Sequence, residues 1–256
     1  MAEIKTYRNF KVFVILILCA VFLSLKTSQE RKVKIYMIGD STMANKKQPE
    51  TNPEFGWGQV FSTYFNPKVT VDNRAVNGRS SRSFIIEGRW DSISKYLQPG
   101  DYVFIQFGHN DQKEKDPKRY TNPYTQYRYN LERFVKDTRE KGGIPILLSS
   151  IVRRNFNEFG TLVDTHGAYP LVTRLVADDL SVPFIDLEWL TEELEMRYGP
   201  NNSAKLHLHF KPGENPYYPE GKNDDTHLSF KGALEVSKLV VSQLKKQVPE
   251  LVIYLK

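Results

Sequence analysis

Three side chains of this sequence have the types that nucleophilic catalysis requires. Ser41 stands in the segment 38–43, directly after the apolar run 33–37, and Asp224 and His227 lie three positions apart near the end of the chain. A serine hydroxyl is a weak nucleophile until a base within hydrogen-bond reach takes its proton and a third group orients that base. One turn that holds Asp224 and His227 could supply both groups, so Ser41 is the candidate nucleophile.

The negative oxygen of an acyl-transfer intermediate also needs preorganised hydrogen-bond donors. The available donors are the backbone N–H groups of Ser41 and Gly78 and the side-chain amide of Asn110, which stands in the segment 108–111. Because Gly78 has no Cβ, its backbone can approach a substrate closely.

Each of these residues also has a purely structural explanation when it is considered alone. Gly, Asp and Ser favour turns and helix N-caps, so Ser41 could cap a helix and Asn77-Gly78 could be only a turn. His109 is expected to be a packed or loop-fixing histidine and Asp111 a cap, and the segment 224–227 could be a surface turn. The joint occurrence of these segments is what favours a catalytic site.

A metal site and a lipase-type site are weaker explanations. His207 and His209 are spaced as in a strand, and no nearby cysteine or third histidine completes a ligand set. The motif Gly-x-Ser-x-Gly is absent around Ser41, which disfavours an α/β-hydrolase of the lipase type. The prediction therefore includes no metal and no cofactor.

The elements that must position these residues alternate between strand and helix, which predicts an α/β fold with about five parallel strands. The predicted strands lie near 33–37, 69–71, 102–107, 144–151 and 183–186, and a terminal helix begins near Ser229. Right-handed crossovers send every parallel strand the same way, so the turns that hold Ser41, Gly78 and Asn110 should meet at one sheet edge. The segment 201–223 is expected to be a long irregular loop of functional importance.

The amino terminus has the composition of a secretory signal. Lys5, Arg8 and Lys11 precede the apolar run 12–23, which is short for a membrane span, although an uncleaved anchor stays open. We therefore predict a signal peptide or anchor at 1–31, a single domain at 32–256, and export to the periplasm or the extracellular space. Cys19, the only cysteine, precedes that domain, so its core must stabilise it without disulfides.

The net charge of +6 is dispersed along the chain rather than gathered in one block. This distribution disfavours nucleic acid as a partner, and a mildly basic exported domain suits an acidic polysaccharide at least as well. No membrane partner is predicted beyond the possible anchor, and the oligomeric state is left open.

Four blocks of the sequence together resemble the SGNH (GDSL-like) hydrolase superfamily. They are, in chain order, Gly39-Asp40-Ser41, Gly78, Gly108-His109-Asn110-Asp111 and Asp224-Asp225-Thr226-His227. More narrowly, much of the chain from Val33 to the terminal helix looks like the rhamnogalacturonan acetylesterase family, above all the segments 39–44, 56–58, 77–84, 87–90 and 100–111. This resemblance implies a flavodoxin-like three-layer α/β/α sandwich and the removal of acetyl groups from pectic backbone sugars.

By position, the resemblance implies Ser41 as nucleophile, His227 as base and Asp224 as the acid that orients it. It implies an oxyanion hole made of Ser41, Gly78 and Asn110, and it implies no metal. The segment 165–170 also resembles a stretch of bacterial members, without an assigned role. The regions 112–123 and 201–223 are unmatched, so the walls of the substrate cleft are the least determined part.

Trp57, Arg79, Arg82 and Arg89 are the candidate substrate-binding residues. The three arginines could pair with galacturonate carboxylates, although structural salt bridges explain them equally well. Asp40 adjoins the nucleophile, but we expect it to hold the turn through backbone hydrogen bonds rather than to act in the triad.

Two other functions stay open. One is an SGNH esterase that acts on acetylated xylan or on small acyl esters. The other is a non-catalytic carbohydrate-binding protein that uses Trp57, Trp90 and tyrosines as stacking platforms, although aromatic residues at helical spacing are more often core.

Overall fold

Five parallel strands form the central sheet of the computed structural model, which describes residues 31–256. Numbered in chain order over the whole molecule, they are β1 (Val33–Gly39), β3 (Val69–Asn73), β4 (Tyr102–Gln106), β5 (Ile144–Leu148) and β6 (Phe184–Ile185). Their spatial order is β3-β1-β4-β5-β6, and every neighbouring pair is parallel. The prediction of about five parallel strands is confirmed. The strand order reverses between β1 and β4, and ligands of open α/β sheets bind beyond the carboxyl ends of the strands at such a point.

Helices cover both faces of this sheet, which explains why its strands read as nearly unbroken apolar runs. Along β1, Ile35 and Met37 belong to one hydrophobic core, and Tyr36 and Ile38 belong to the other. The first core holds α1 (Trp57–Phe61), α6 (Leu187–Asn202) and α7 (Phe230–Gln247), and the second holds α2 (Ser81–Ile86), α3 (Arg89–Ser94), α4 (Arg128–Glu140) and α5 (Ala168–Asp179). The fold is therefore a three-layer α/β/α sandwich, as expected.

Helix ends follow local hydrogen-bonding chemistry. The Ser229 hydroxyl accepts the Gly232 N–H at 3.2 Å, so α7 begins where the sequence predicted. Ser80 and Ser83 form a reciprocal capping box at the start of α2, a helix that the sequence analysis missed. A π-helical turn, Pro123–Tyr127, leads into α4.

A second, antiparallel sheet lies outside the five-stranded one. It consists of β2 (Glu54–Phe55), β8 (Lys222–Ser229) and β7 (His207–Phe210), in that order. The expectation of an irregular segment at 201–223 is wrong for residues 201–210, where the end of α6 and a 3-10 turn (Ser203–Leu206) lead into β7, and for residues 222–223, which begin β8. Leu208 is wholly buried, and β8 satisfies the backbone of this stretch. Residues 211–221 form the connecting loop.

The compact unit described here runs from Val33 to Lys256. Apart from Arg31, the predicted signal peptide lies outside the described residues. Within residues 31–256, no helix combines the length and the apolar character that a bilayer crossing requires.

Candidate active site

The turn after β1 fixes the position of Ser41. A Cβ on Gly39 would lie 2.7 Å from the Gln106 carbonyl oxygen, so only glycine lets β1 and β4 approach so closely here. The buried Asp40 accepts hydrogen bonds from the backbone N–H and the hydroxyl of Thr42, each at 2.9 Å. The predicted role of Asp40 in holding the turn is confirmed. The backbone N–H of Trp57, at the start of α1, donates to the Thr42 carbonyl at 2.9 Å and fastens the far side of the turn.

Ser41, His227 and Asp224 form one hydrogen-bonded chain. The Nε2 atom of His227 lies 3.0 Å from the Ser41 Oγ, and its Nδ1 atom lies 2.9 Å from an Asp224 carboxylate oxygen. With Nδ1–H donating to the carboxylate, Nε2 carries the lone pair that faces the serine hydroxyl. This is the arrangement in which an imidazole can take the hydroxyl proton.

A bulge of three residues in β8 presents His227 to the serine. On β7 the adjacent residues His207 and Leu208 pair with Leu228 and Asp224, so residues 225–227 loop out of the ladder. The second Asp224 carboxylate oxygen accepts the N–H groups of Thr226 (3.0 Å) and His227 (2.9 Å), which closes the loop. The expected turn that holds both residues is therefore a bulge within a strand.

Asp224 keeps its negative charge in this setting. Burial by itself would raise the pKa of Asp224, but the hydrogen bonds from the His227 ring and from two backbone N–H groups outweigh it. Together with the charge of His227, they hold this pKa well below its usual range. The carboxylate can therefore stabilise an imidazolium without taking its proton.

The three expected oxyanion donors lie on segments that the structure ties together. The Val76 N–H donates to the Gly39 carbonyl at 3.0 Å, and the Asn110 side-chain amide donates to the Arg79 carbonyl at 3.2 Å. Within residues 31–256, the backbone N–H groups of Ser41 and Gly78 donate to no partner. They are therefore available to an incoming oxygen, as is the second hydrogen of the Asn110 amide.

Gly78 owes its residue type to conformation more than to crowding. Its φ of +75° lies in the left-handed region that favours glycine. A Cβ there would meet only one atom within 4 Å, the Arg119 Nη1 at 3.8 Å, so the space above Gly78 is open.

A buried lysine that the sequence analysis missed joins the segments of the site. The side chain of Lys46 is 1% exposed, and its ammonium donates to the Ser41 carbonyl and to the Asn77 side-chain oxygen at 3.0 Å. It also lies 2.7 Å from a carboxylate oxygen of Glu54, on β2. Burial lowers the pKa of Lys46, and the Glu54 carboxylate opposes that shift. A lone lysine five positions after the serine gave no pattern that could have revealed it.

Asp111 fastens the loop that carries Asn110 to the start of α2. Its carboxyl group accepts the Ser81 N–H at 3.0 Å, the Ser81 hydroxyl at 2.5 Å and the Thr121 hydroxyl at 2.9 Å. Asp111 therefore has a structural role, as expected, although Ser80 and not Asp111 is the N-cap of α2. Burial raises the pKa of Asp111 to about 7, against the effect of these donors.

With this geometry in place, the comparisons with known proteins decide the family. The model of the GDSL-like Lipase/Acylhydrolase family matches residues 37–233. The rhamnogalacturonan acetylesterase RhgT of Bacillus subtilis (strain 168) is 42% identical over 217 residues, which cover 85% of this chain and 91% of that protein. The chain belongs to the rhamnogalacturonan acetylesterase family of GDSL-like hydrolases. The family that the sequence resembles and the predicted class, an ester hydrolase, are thereby confirmed.

Two further proteins resemble this member of the family. The probable rhamnogalacturonan acetylesterase YesY of the same bacterium is 34% identical and covers 83% of this chain and 92% of its own. The crystal structure of the protein YxiM, also from Bacillus subtilis, superposes with a TM-score of 0.71 at 26% identity. It covers 84% of the esterase chain, which spans 57% of the YxiM chain.

The structure corrects the predicted role of Trp57 in substrate binding. Its side chain is 0% exposed, and its indole N–H donates to the Gln106 side chain at 2.8 Å in the core of the esterase. Trp90, the other expected stacking platform, is equally buried, and its indole N–H donates to Asp137 at 2.6 Å. Neither ring can stack on a sugar, which removes the main support for a non-catalytic carbohydrate-binding protein.

The three candidate arginines of the esterase lie on or beside α2. Arg79 and Arg89 both pair with one carboxylate oxygen of Glu87, at 3.1 Å and 2.5 Å, so their charges are largely offset. Arg82 lies inside α2. Of the two explanations for these arginines, structural ion pairs rather than pairing with substrate carboxylates account for Arg79 and Arg89.

The remaining histidines of the esterase take part in separate contacts. The buried His207 lies 2.7 Å from Glu195, and His209 lies 2.8 Å from Asp225. The expected β-strand alternation of these two residues is confirmed by β7. The ring of the buried His109 lies 3.0 Å from that of His166, so the expectation that His109 is a packed residue is confirmed.

Asp164, His166 and Glu188 bring three potential metal-ligand atoms within 4.8 Å of one another. Arg153 can only donate, and its Nη1 atom lies 3.4 Å from the His166 Nε2, so Nε2 accepts and Nδ1 carries the proton. That Nδ1 lies 3.7 Å from Glu188, and Asp164 accepts the backbone N–H of His166 at 2.7 Å. Within this cluster Asp164 has a structural role, because its carboxylate accepts the backbone N–H groups of His166 and Gly167.

Proposed function

We propose that the protein is a serine esterase that removes acetyl groups from rhamnogalacturonan, an acidic pectic polysaccharide. The observation that carries this proposal is the hydrogen-bonded chain from Ser41 through His227 to Asp224, beside two backbone N–H groups with no partner in residues 31–256. A nucleophile, an oriented base and vacant donors are the parts that acyl transfer requires.

In the first half of the reaction, the Ser41 Oγ attacks the acetyl carbonyl carbon while the His227 Nε2 takes the hydroxyl proton. The carbonyl π electrons move onto oxygen, which the N–H groups of Ser41 and Gly78 and the Asn110 amide stabilise. Asp224 stabilises the imidazolium through Nδ1. The C–O bond to the sugar then breaks, and His227 gives its proton to the departing sugar oxygen.

In the second half, water attacks the acetyl-serine along the same path. His227 takes a proton from the water, and the oxyanion forms again against the same donors. When the intermediate collapses, the bond to the Ser41 Oγ breaks, and His227 returns the proton to that oxygen. Acetate leaves, and the enzyme regains its starting state.

The sequence relationship supports the substrate class. Two relatives at 42% and 34% identity, each matched over more than nine-tenths of its length, are named as a rhamnogalacturonan acetylesterase and a probable one. Such extensive similarity favours a shared substrate class over esterases that act on xylan or small esters.

The test measures acetate released from acetylated rhamnogalacturonan, acetylated xylan and 4-nitrophenyl acetate by the wild type and by Ser41→Ala. We expect the highest kcat/KM on rhamnogalacturonan and a loss of about 10⁴-fold or more in the variant. A higher kcat/KM on xylan would contradict the substrate, and an undiminished rate in the variant would contradict the mechanism.

We also propose that the esterase acts outside the cytoplasm. The support is the sequence of residues 1–31, in which cationic residues precede a short apolar run, and the size of a polymeric substrate. Cell fractionation tests the proposal, because acetylesterase activity confined to the cytoplasmic fraction would contradict it.

A further inference from the structure

The loop 112–120 forms a wall beside the candidate oxyanion hole, and hydrogen bonds hold both of its ends. At its start the Lys113 N–H donates to the Asn110 carbonyl at 3.3 Å, and just beyond its end the Thr121 N–H donates to the Asp111 carbonyl at 3.0 Å. The Tyr169 hydroxyl lies 2.5 Å from the Thr121 carbonyl oxygen and 3.0 Å from the Asp111 carbonyl oxygen, and its one hydrogen is shared between them, which fixes the base of the loop from α5. This loop belongs to the stretch for which the sequence resemblance offered no match.

Arg119 extends from this wall over the donors of the site. Its Nη1 atom lies 3.5 Å from the Asn110 side-chain oxygen and 3.8 Å from the point that a Cβ of Gly78 would occupy. Its Nε donates to Asp116 at 2.5 Å, which holds the guanidinium in place. Within residues 31–256, its Nη2 atom makes no hydrogen bond, and the side chain is 33% exposed. One edge of the Arg119 guanidinium group is therefore open to a ligand above Gly78.

Lys113 adds a second positive charge to the same wall. No carboxylate of residues 31–256 lies within 4.0 Å of its ammonium, which makes it different from Arg79 and Arg89. Partial desolvation and the nearby charges of Arg119 and Arg153 lower the pKa of Lys113. The loop 112–120 carries four cationic residues and two acidic ones, so the wall has a positive excess; the cations are Lys113, Lys115, Lys118 and Arg119, and the acids are Glu114 and Asp116.

We infer that Arg119 and Lys113 form a subsite for the carboxylate of a uronic acid residue of the bound substrate. The inference rests on the proposed function, because the acetyl carbonyl must occupy the donors of Ser41, Gly78 and Asn110. A guanidinium fork held by Asp116 matches the two oxygens of a carboxylate, and Lys113 contributes a flexible point charge. Arg79 and Arg89, the arginines that the sequence suggested, are already occupied by Glu87.

The experiment compares acetate release from one acetylated uronate-containing oligosaccharide with release from the same oligosaccharide after methyl esterification of its carboxylates. The wild type, Arg119→Gln, Arg119→Lys and Lys113→Gln are assayed at low and high salt. Arg128→Gln is the matched control, because it removes one surface guanidinium that pairs with Glu132 and Asp179 on α4 and α5.

We expect the wild type to prefer the acidic substrate about 10-fold or more in kcat/KM, mainly through KM, and to lose part of this preference in high salt. Arg119→Gln should bring the ratio close to one, whereas Arg119→Lys and Lys113→Gln should reduce it partially. The Arg128→Gln control should keep the wild-type ratio.

Two outcomes would overturn the inference. One is a wild type with no preference for the acidic form, and the other is an Arg119→Gln variant that loses kcat equally on both substrates, because that result means Arg119 only holds the Asn110 amide. Failure of the proposed function is a separate result: a wild type that releases no acetate from either oligosaccharide or from 4-nitrophenyl acetate.

Discussion

The His227 Nε2 lies 3.0 Å from the Ser41 Oγ, although 186 positions separate the two residues in the chain. The contact joins two different sheets, since Ser41 follows a strand of the parallel sheet and His227 stands in the bulge of β8. Its geometry depends on Asp224, which binds both the ring and the backbone of His227. The bulge is therefore a device that positions the base.

Asp224→Asn tests this dependence. The amide nitrogen would face the His227 Nδ1 and favour the wrong tautomer, so we expect kcat for acetate release to fall by about 10³- to 10⁴-fold with a smaller change in KM. Asp225→Asn is the matched control, because the neighbouring Asp225 carboxylate binds Arg154 and His209 and not His227. We expect the control to stay within about threefold of the wild type. Equal losses in both variants would show that the bulge, rather than the charge of Asp224, had been disturbed.

Asn110→Ala tests the side-chain donor of the oxyanion hole. The substitution removes a buried amide that donates to the Arg79 carbonyl and should lower kcat by about 10²- to 10³-fold, because this donor acts mainly in the transition state. Steady-state kinetics on 4-nitrophenyl acetate would measure the effect. A rise in KM with unchanged kcat would instead assign Asn110 to substrate binding.

The sequence predicted those parts of the fold that local pattern determines. The unbroken apolar run 102–107 indicates a strand covered on both faces, and β4 occupies most of it. The sequence did not predict β2, which is only two residues long. It also did not predict α2, whose capping box uses Ser83 where a glutamate or glutamine is usual. A two-residue strand and a six-residue helix are too short to show the repeat of apolar residues by which strands and helices are recognised in a sequence.

The same limit applies to the site. Ser41, Asp224 and His227 were recognisable because their types and spacing have a chemical reason. Lys46 and Arg119 were not, since their contacts arise only when loops from different strands meet above the sheet. Trp57 was assigned to the substrate because tryptophan often stacks on sugars, yet the turn that holds Ser41 buries it.

Lys46→Met tests the role of the buried lysine in positioning the site. It removes the donor shared by the Ser41 carbonyl and the Asn77 side chain, so we expect kcat to fall by about 10- to 100-fold. It also leaves Glu54 without its cation, which should cost about 1 to 4 kcal/mol of unfolding free energy.

The double variant Lys46→Met/Glu54→Gln separates these two effects. Neutralising Glu54 should restore part of the thermal stability, because no unpaired buried charge remains, but it should leave kcat low. Recovery of both quantities together would mean that Lys46 serves stability alone. Thermal unfolding and 4-nitrophenyl acetate kinetics on the same preparations give both readings.

Glu188 gives a prediction about pH. Burial, followed by the charges of Asp164, Asp186 and Glu192, raises the pKa of Glu188 to about 8 from its ordinary value of 4.5. Between these two values the folded protein keeps a proton that the unfolded chain has released. Glu188 therefore costs stability progressively as pH rises from about 4.5 to about 8.

Glu188→Gln should remove this cost. We expect the variant and the wild type to unfold at similar temperatures near pH 4, and the variant to be more stable by about 1 to 3 kcal/mol above pH 8. The Glu188 side chain is 24% exposed, so solvent screening limits this difference. Glu193→Gln, at an exposed position of the same helix, is the control and should show no such divergence with pH. A stability difference between Glu188→Gln and the wild type that does not change with pH would contradict the raised pKa, because only a group that titrates in this window can make the two curves separate.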